Sequence, residues 1–412
     1  MADRHVGVLL VGGGMAAANC SRWLREEGFG GSVLLVAREP HPPYNRPPCS
    51  KGYLQGKESL EDTLFRPDEW WEEQSIELQT RTSVVKLDLE DSVAVLSTQE
   101  EVSFDQALLA TGSNVRLLRV DGVGLEGIHY LRALGNADTI RSDTEGVEHV
   151  VVVGGSYIGT EVAASLTLLG RSVTILMQED VTHERSFGTQ AGRYLQSVLE
   201  DHGIEVVGSD GLGRFEGDDG RVTTVVSERG RELPAGAVVI GAGAVPDTML
   251  AKQAGLELGD RGGVRCDSRL QTSREGIYAA GDICEYESAM HGGPVRIEHW
   301  DVAFNHGKTA ALNILGRDVP HEVVPYFYSD LADWCSLEYV GPAYEWEEEV
   351  VRGSLEEGEF SIWYLGGGRV KAALSVDRSD DLEHARRLIA AGTEIAGRAD
   401  VLADLSSDLA DL

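Results

Sequence analysis

The sequence predicts an α/β chain: two units built on parallel sheets, one interrupting the other, followed by a smaller α+β unit. Three observations carry that prediction. A glycine turn between an apolar run and an amphipathic helix occurs at Gly12. The same arrangement recurs at Gly154. Two runs ending in small residues, "ALLATGS" (107–113) and "GIYAAGD" (276–282), bracket the second arrangement.

Taken in order, residues 6–11 are continuously apolar, as a strand covered on both faces requires. Gly12-x-Gly14-x-x-Ala17 follows and opens a helix, and "SVLLVARE" supplies the next strand. A strand–turn–helix–strand unit of about 30 residues is the setting of a dinucleotide fingerprint. Gly12 makes the turn, Gly14 lets the backbone approach a pyrophosphate, and Ala17 lets the helix pack close. The phosphates then face free N–H groups and the positive end of the helix dipole. The acid expected to hold a ribose hydroxyl is Glu39, with Arg38 beside it.

"YNRPPCSKGYL" (44–54) comes next. Pro47 and Pro48 fix φ and disfavour helix before them, so a helix is expected from about Ser50. Cys49 has two readings, a small apolar filler or a redox thiol activated by a helix N-terminus.

The second fingerprint runs from a strand at 149–153 through Gly154, Ser156 and Gly159 into a helix, then a strand at 173–177. Ser156 replaces the middle glycine. Two correctly framed fingerprints imply two different dinucleotides. The acid position after the second strand holds Glu179, and the nearest arginine is Arg185. A 2′-hydroxyl selects an acid and a 2′-phosphate an arginine, so NADH is expected over NADPH. Small residues closing 107–113 and 276–282 let a ligand lie against backbone at a sheet crevice.

The formal net charge of -32 over 412 residues excludes nucleic acid and anionic membrane surfaces as partners. No apolar run reaches the ~18 residues of a membrane span. The five cysteines are scattered without a CxxC pair. This fits a reducing cytoplasm and spells out neither a zinc ribbon nor an iron–sulfur cluster.

The fingerprints, together with "PYNRPPCSK" (43–51), "ATGS" (110–113), "GAGAVPD" (241–247), "RIEHWDVAFNHG" (296–307) and "PYFYSD" (325–330), give a specific set. With it the chain resembles the two-dinucleotide flavoprotein reductases of the glutathione-reductase structural class. Within that class it is most similar to the ferredoxin and rubredoxin reductases and apoptosis-inducing-factor-like proteins. The resemblance implies two Rossmann-like domains: an FAD domain at 1–117 and 245–320 and an NAD(P)H domain at 118–244. A C-terminal domain at 321–398 and an acidic tail or terminal helix at 399–412 would follow.

The same resemblance implies roles for individual residues. FAD would be held by Gly12, Gly14, Ala17, Glu39, Arg46, Lys51, Val84, Ala110, Thr111, Gly112, Gly281 and Asp282. Glu298, His299, Trp300 and Tyr328 would surround the isoalloxazine. Gly154, Ser156, Tyr157, Ile158, Gly159, Glu179 and Gly243 would face the nicotinamide nucleotide. Lys51 and Glu161 would meet near flavin N5, and Tyr157 would cover the ring until nicotinamide displaces it. His299 is not needed as a base, because hydride transfer requires alignment at short range.

The implied function is hydride uptake from NAD(P)H and delivery of electrons to a small iron–sulfur carrier. The alternatives are an NADH oxidase or quinone reductase and an NADH-sensing, apoptosis-factor-like flavoprotein. An acidic ferredoxin would need a local basic patch on this acidic chain, for which Arg378, Arg386 and Arg387 are the candidates. The sequence leaves the oligomeric state open.

Overall fold

The computed structural model describes residues 2–341 and 343–412. The chain divides into two compact units. The first comprises the chain up to Asn45, Leu60–Asn114 and Val245–Pro325; the second comprises Arg46–Ser59, Val115–Ala244 and Tyr326–Leu412.

In the first unit, a sheet runs in the order Ile76–Gln79, Val33–Val36, Arg4–Val11, Glu101–Leu109, with Ile277–Ala279 also on Glu101–Leu109. All of these pairs are parallel. The other half of Glu101–Leu109 takes the antiparallel ribbon Val93–Leu96 and Val84–Asp88. The sequence of that long strand explains the division. Its first residues alternate between exposed and buried, as beside a ribbon with one wet face, and its last three are all buried, as in a covered parallel sheet. Helix Met15–Glu26 packs against helix Trp300–Ile314. The close approach depends on Gly307, where a β-carbon would lie 2.4 Å from the Ala16 carbonyl oxygen.

The second unit holds a five-stranded parallel sheet in the order Glu205–Val207, Ser172–Leu176, His149–Val153, Ala237–Ile240, Ile128–Tyr130. Helix Tyr157–Leu168 connects His149–Val153 to Ser172–Leu176, and a three-stranded antiparallel sheet spans Leu212–Asp218 to Glu232–Pro234. The C-terminal part is a five-stranded antiparallel sheet, Tyr326–Leu331 to Arg369–Val376, covered by helix Ser379–Ala391. Residues 399–412 fold back on this sheet. The Arg352 guanidinium, 6% exposed, donates to the carbonyls of Leu402, Asp404 and Ser407, and Leu402 and Leu409 are buried. The acidic end is thus anchored, with a short helix at Ala399–Ala403.

Two local expectations differ from the structure. No α-helix starts near Ser50: Pro47–Ser50 forms one 3₁₀ turn. The Pro48 carbonyl accepts from the N–H groups of Lys51, Tyr53 and Leu54, which closes the chain into successive turns rather than a helical ladder. The segment Arg46–Ser59 also belongs to the second compact unit rather than the first. Its hydrogen bonds to residues of the helix Tyr157–Leu168 give the reason, as described below.

Candidate active site

In the first unit, Gly12 turns the chain at φ +126°, a conformation open to glycine. A β-carbon there would lie 2.1 Å from the Ala110 carbonyl oxygen, so the turn and the end of Glu101–Leu109 are pressed together. Gly14 caps helix Met15–Glu26 with no side chain on its first N–H groups, and a β-carbon on Gly14 would meet nothing within 4 Å. The result is an open cradle in front of unsatisfied donors, which suits a pyrophosphate. Ala17 is fully buried at the helix–sheet contact.

Glu39 follows strand Val33–Val36, and its carboxylate accepts from the Tyr44 hydroxyl at 2.5 Å. Arg38 points elsewhere, to Asn114 at 2.8 Å and Asp247 at 3.2 Å. Backbone bonds Arg81 N–H to Glu39 O and Thr82 N–H to Ala37 O bring the start of strand Val84–Asp88 beside Glu39. Thr111 and Gly112 are tied to Asp247: the Thr111 hydroxyl donates to its carbonyl at 2.6 Å, and its N–H donates to the Gly112 carbonyl at 2.8 Å.

At the other end of this unit, the Gly281 N–H donates to His306 Nδ1 at 3.2 Å, and Arg296 donates to the Asp282 carbonyl at 3.0 Å while pairing with Glu298. His299 is the N-cap of helix Trp300–Ile314. Burial holds its imidazole down to about 4, against a smaller opposing pull from Asp282. The Trp300 indole N–H donates to Asn45 at 3.1 Å, and its ring stacks on Phe304 at 5.2 Å.

The second unit repeats the turn. Gly154 has φ +110°, and Gly159 sits so close to the loop that a β-carbon would lie 2.0 Å from the Gly154 carbonyl oxygen. Ser156 caps helix Tyr157–Leu168 in extended conformation without a side-chain cap bond, so its first N–H groups remain available. Ile158 is 37% exposed on that turn, and a β-carbon on Gly243 would meet open space. The Tyr157 ring lies among His183, Phe187 and Phe327 at 4.6–5.7 Å, and burial pushes its phenol up to about 12. Glu179 accepts from Arg185 Nε at 2.6 Å. Arg46 donates to the Arg132 carbonyl at 2.8 Å.

A buried charge network in this unit surrounds Lys51. Its ammonium lies 3.4 Å from Glu161 and 3.3 Å from Asp330, and 4.4 Å from the centre of the Tyr328 ring. Glu161 is 6% exposed, and its oxygens accept from Ser50 and Ser329, each at 2.5 Å. Ser165 donates to the Ser50 carbonyl at 2.7 Å and accepts from Gln55 at 2.9 Å, pinning the turns to the helix. Burial alone would lower the Lys51 ammonium, but Glu161 and Asp330 together outweigh it and hold the group above its ordinary value. The structure therefore joins the predicted Lys51, Glu161 and Tyr328, and adds Ser50, Ser329 and Asp330. Asp330 and Ser329 lie in the quoted "PYFYSD" run, so the only sequence signal for them was their adjacency to Tyr328.

Cys49 is 3% exposed, and all five cysteines are free and buried. Cys49 sits within the 3₁₀ turn Pro47–Ser50 rather than at the N-terminus of an α-helix. Among the described residues, no group of three potential ligands is placed to hold a metal ion, and no helix is long and apolar enough to cross a membrane.

Comparison with known proteins agrees with this geometry. The pyridine nucleotide-disulphide oxidoreductase model matches residues 6–307, and a reductase C-terminal model matches 326–412. Rhodocoxin reductase of Rhodococcus erythropolis is 32% identical over 98% of this chain and 93% of its own. The ferredoxin–NAD(+) reductase subunit of a Pseudomonas putida benzene 1,2-dioxygenase system is 34% identical over 98% of this chain and 97% of its own. The structure of a covalent putidaredoxin reductase–putidaredoxin complex superposes with a TM-score of 0.93 at 31% identity, covering 100% of this chain and 98% of that one. With two glycine cradles, a buried lysine–carboxylate network and these matches, the chain belongs to the pyridine nucleotide-disulphide oxidoreductase family.

Proposed function

We propose that this protein is an FAD-dependent NAD(P)H oxidoreductase of the cytoplasm that passes electrons to a ferredoxin-type iron–sulfur protein. The observation that carries the reading is the pair of open glycine turns, each before a helix whose first N–H groups have no side-chain cap. One cradle fits the pyrophosphate of FAD and the other that of a nicotinamide dinucleotide. Residues up to 45, 60–117 and 245–320 serve FAD and 118–244 serve the nicotinamide, with the turns at 46–59 carried on the second unit. Bound FAD supplies the ability to accept a hydride and release its two electrons singly.

The chain's own residues bind, orient and fix charge. Gly12, Gly14 and Ala17 admit the FAD pyrophosphate, Glu39 holds its ribose, and Thr111, Gly281 and Asp282 hold the remainder. Tyr157 shields the nicotinamide position. Lys51 supplies a cation kept protonated and aimed by Glu161 and Asp330, a preorganised charge that needs no rearrangement during transfer.

The acceptor reading also finds support in a cationic surface. On the first unit, Lys308 is exposed and lies 4.2 Å from the centre of the Trp23 ring, while Arg22, 5.5 Å from the same ring, pairs with Glu26 at 3.4 Å. On a chain of net charge -32, such a patch can steer an acidic carrier. Of the three arginines expected for this task, Arg378 pairs with Asp381 and Arg387 donates to the Leu409 carbonyl, while Arg386 lies over Tyr326.

The test is steady-state reduction of cytochrome c by NADH. Turnover should require added ferredoxin, and Lys308→Glu should raise the ferredoxin KM while leaving flavin reduction by NADH intact. Equal turnover with oxygen or a quinone and no protein carrier would reverse the reading in favour of an oxidase or quinone reductase.

A further inference from the structure

His183 holds a backbone conformation that a side chain disfavours. Its φ of +55° lies in the left-handed region, where the β-carbon is crowded. Three backbone bonds keep it there. Its N–H donates to the Gly155 carbonyl at 2.9 Å, and its own carbonyl accepts from the Ser186 and Phe187 N–H groups, each at 2.9 Å. The residue therefore ties the second glycine turn to helix Glu184–Asp201, of which it is the N-cap. Such conformations persist only where the surroundings over-determine them, and they cluster at functional sites.

The side chain is fixed as firmly. The imidazole is 3% exposed, and its Nε2 is hydrogen-bonded to the Thr160 hydroxyl at 2.9 Å, in the first turn of helix Tyr157–Leu168. It stacks on Phe187, which is fully buried, at 5.6 Å with 19° between the planes. Burial holds the ring down to about 3, so it stays neutral at neutral pH. Its Nδ1 finds no hydrogen-bond partner among the described residues. A buried nitrogen left bare costs free energy that an apolar side chain would avoid, but an apolar side chain could not bond Thr160. What that bond fixes is the direction of the ring.

The ring so fixed stands 5.3 Å from the centre of the Tyr157 ring at 60°, an attractive edge-to-face arrangement. Tyr157 is partly exposed, and in the function proposed above, on which this inference rests, it covers the nicotinamide position. A nicotinamide that takes that position must break the contact with His183 along with those to Phe187 and Phe327. Its apparent affinity is then reduced by the fraction of molecules in which Tyr157 has moved aside.

We propose that His183 is a positioning residue that latches Tyr157 over the nicotinamide position, with Thr160 aiming its ring. The latch opposes the nicotinamide half of the dinucleotide and leaves the adenosine half untouched.

The experiment is calorimetric titration of the oxidised, FAD-loaded protein with NAD+ and with ADP-ribose, which carries the same adenosine and pyrophosphate but no nicotinamide. The wild type is compared with two variants. His183→Asn removes the ring while accepting the left-handed backbone, and Thr160→Val keeps the ring but frees its direction. His183→Asn should bind NAD+ about 2- to 10-fold more tightly, the range of one aromatic contact, and should bind ADP-ribose as the wild type does. Thr160→Val should shift NAD+ in the same direction by less, and it decides the matter alone should His183→Asn fail to fold. A merely structural role predicts weaker binding of both ligands. NAD+ affinity unchanged or lowered in either folded variant, or an equal change for both ligands, would overturn the proposal. A wild type that binds neither ligand would overturn it together with the function on which it rests.

Discussion

The two nucleotide cradles share a turn and differ in the partner that holds the acid after each fingerprint's second strand. In the first unit, Glu39 is held by a neutral phenol, Tyr44, and two imidazoles are buried, His306 within helix Trp300–Ile314 and His321 4.5 Å from the His306 ring, with His299 half-buried at the helix N-cap. In the second, Glu179 is held by a guanidinium, and Glu161 by an ammonium and two hydroxyls. The same backbone device can therefore be supported by neutral polar groups or by ion pairs, and the two should respond differently to pH and to mutation.

Acid should separate them most strongly. Burial lowers His299 and His321 to about 4 from an ordinary 6.5, and His306 well below it. Neutral in the fold, these groups bind protons only once the chain opens. Their full contribution is present above 6.5 and is lost as pH falls toward 4, about 3 kcal/mol for the buried His321 and less for the half-buried His299. In the second unit His183 is lowered to about 3, so its loss completes further into acid. Far-UV circular dichroism with flavin fluorescence against pH should show flavin release before the rest of the chain unfolds. Simultaneous loss would erase the contrast.

Next in size is Glu161→Ala. It leaves the Lys51 ammonium, 14% exposed, with Asp330 as its remaining partner. Removing one member of a buried pair costs about 3–5 kcal/mol, and Asp330 should keep the loss near the lower end. Urea titration measures it, and a loss below about 1 kcal/mol would mean the pair behaves as a surface contact. The raised Lys51 value places the alkaline limit of this contribution above the ordinary lysine range, with full strength below it.

The glycines give a subtler contrast. Gly12→Ala drives a β-carbon onto the Ala110 carbonyl and should both destabilise the fold and lower flavin content. Gly14→Ala meets nothing in the protein, so stability should hold while flavin content falls, because the added methyl occupies the ligand's approach. The ratio of flavin to protein absorbance, set beside the melting temperature, reads both effects. Smallest of all, Tyr44→Phe should cost about 2 kcal/mol, the net worth of one hydrogen bond from a neutral donor to a charged group, and weaken flavin retention slightly in equilibrium dialysis.

Legibility in the sequence followed the range of the interactions. The fingerprints are local: a strand, a turn and a helix within one short stretch carry their own signal, and Gly12 and Gly154 take the positive φ of the turn while Gly159 makes the close contact. Glu39 and Glu179 follow the second strand of each fingerprint, where the spacing places them. The partners of Lys51 are not local. Ser329 and Asp330 arrive from the C-terminal sheet, and nothing in the spacing of residues 44–54 points to them. The missing helix at Ser50 has another cause. The two prolines do fix the entry, but the Pro48 carbonyl gathers three N–H groups, a tertiary choice stabilised by the Ser50–Glu161 and Ser165–Ser50 bonds. The anchored C-terminus escaped notice because its acidic composition conceals the carbonyls that Arg352 binds.

The most direct measurement is an anaerobic titration of the purified protein with NADH while its visible spectrum is recorded. Two working cradles predict a yellow protein whose flavin band is lost at equimolar NADH and returns when an oxidised ferredoxin is added. A colourless protein that takes up no FAD, or a flavin band unmoved by excess nicotinamide nucleotide, would contradict the account.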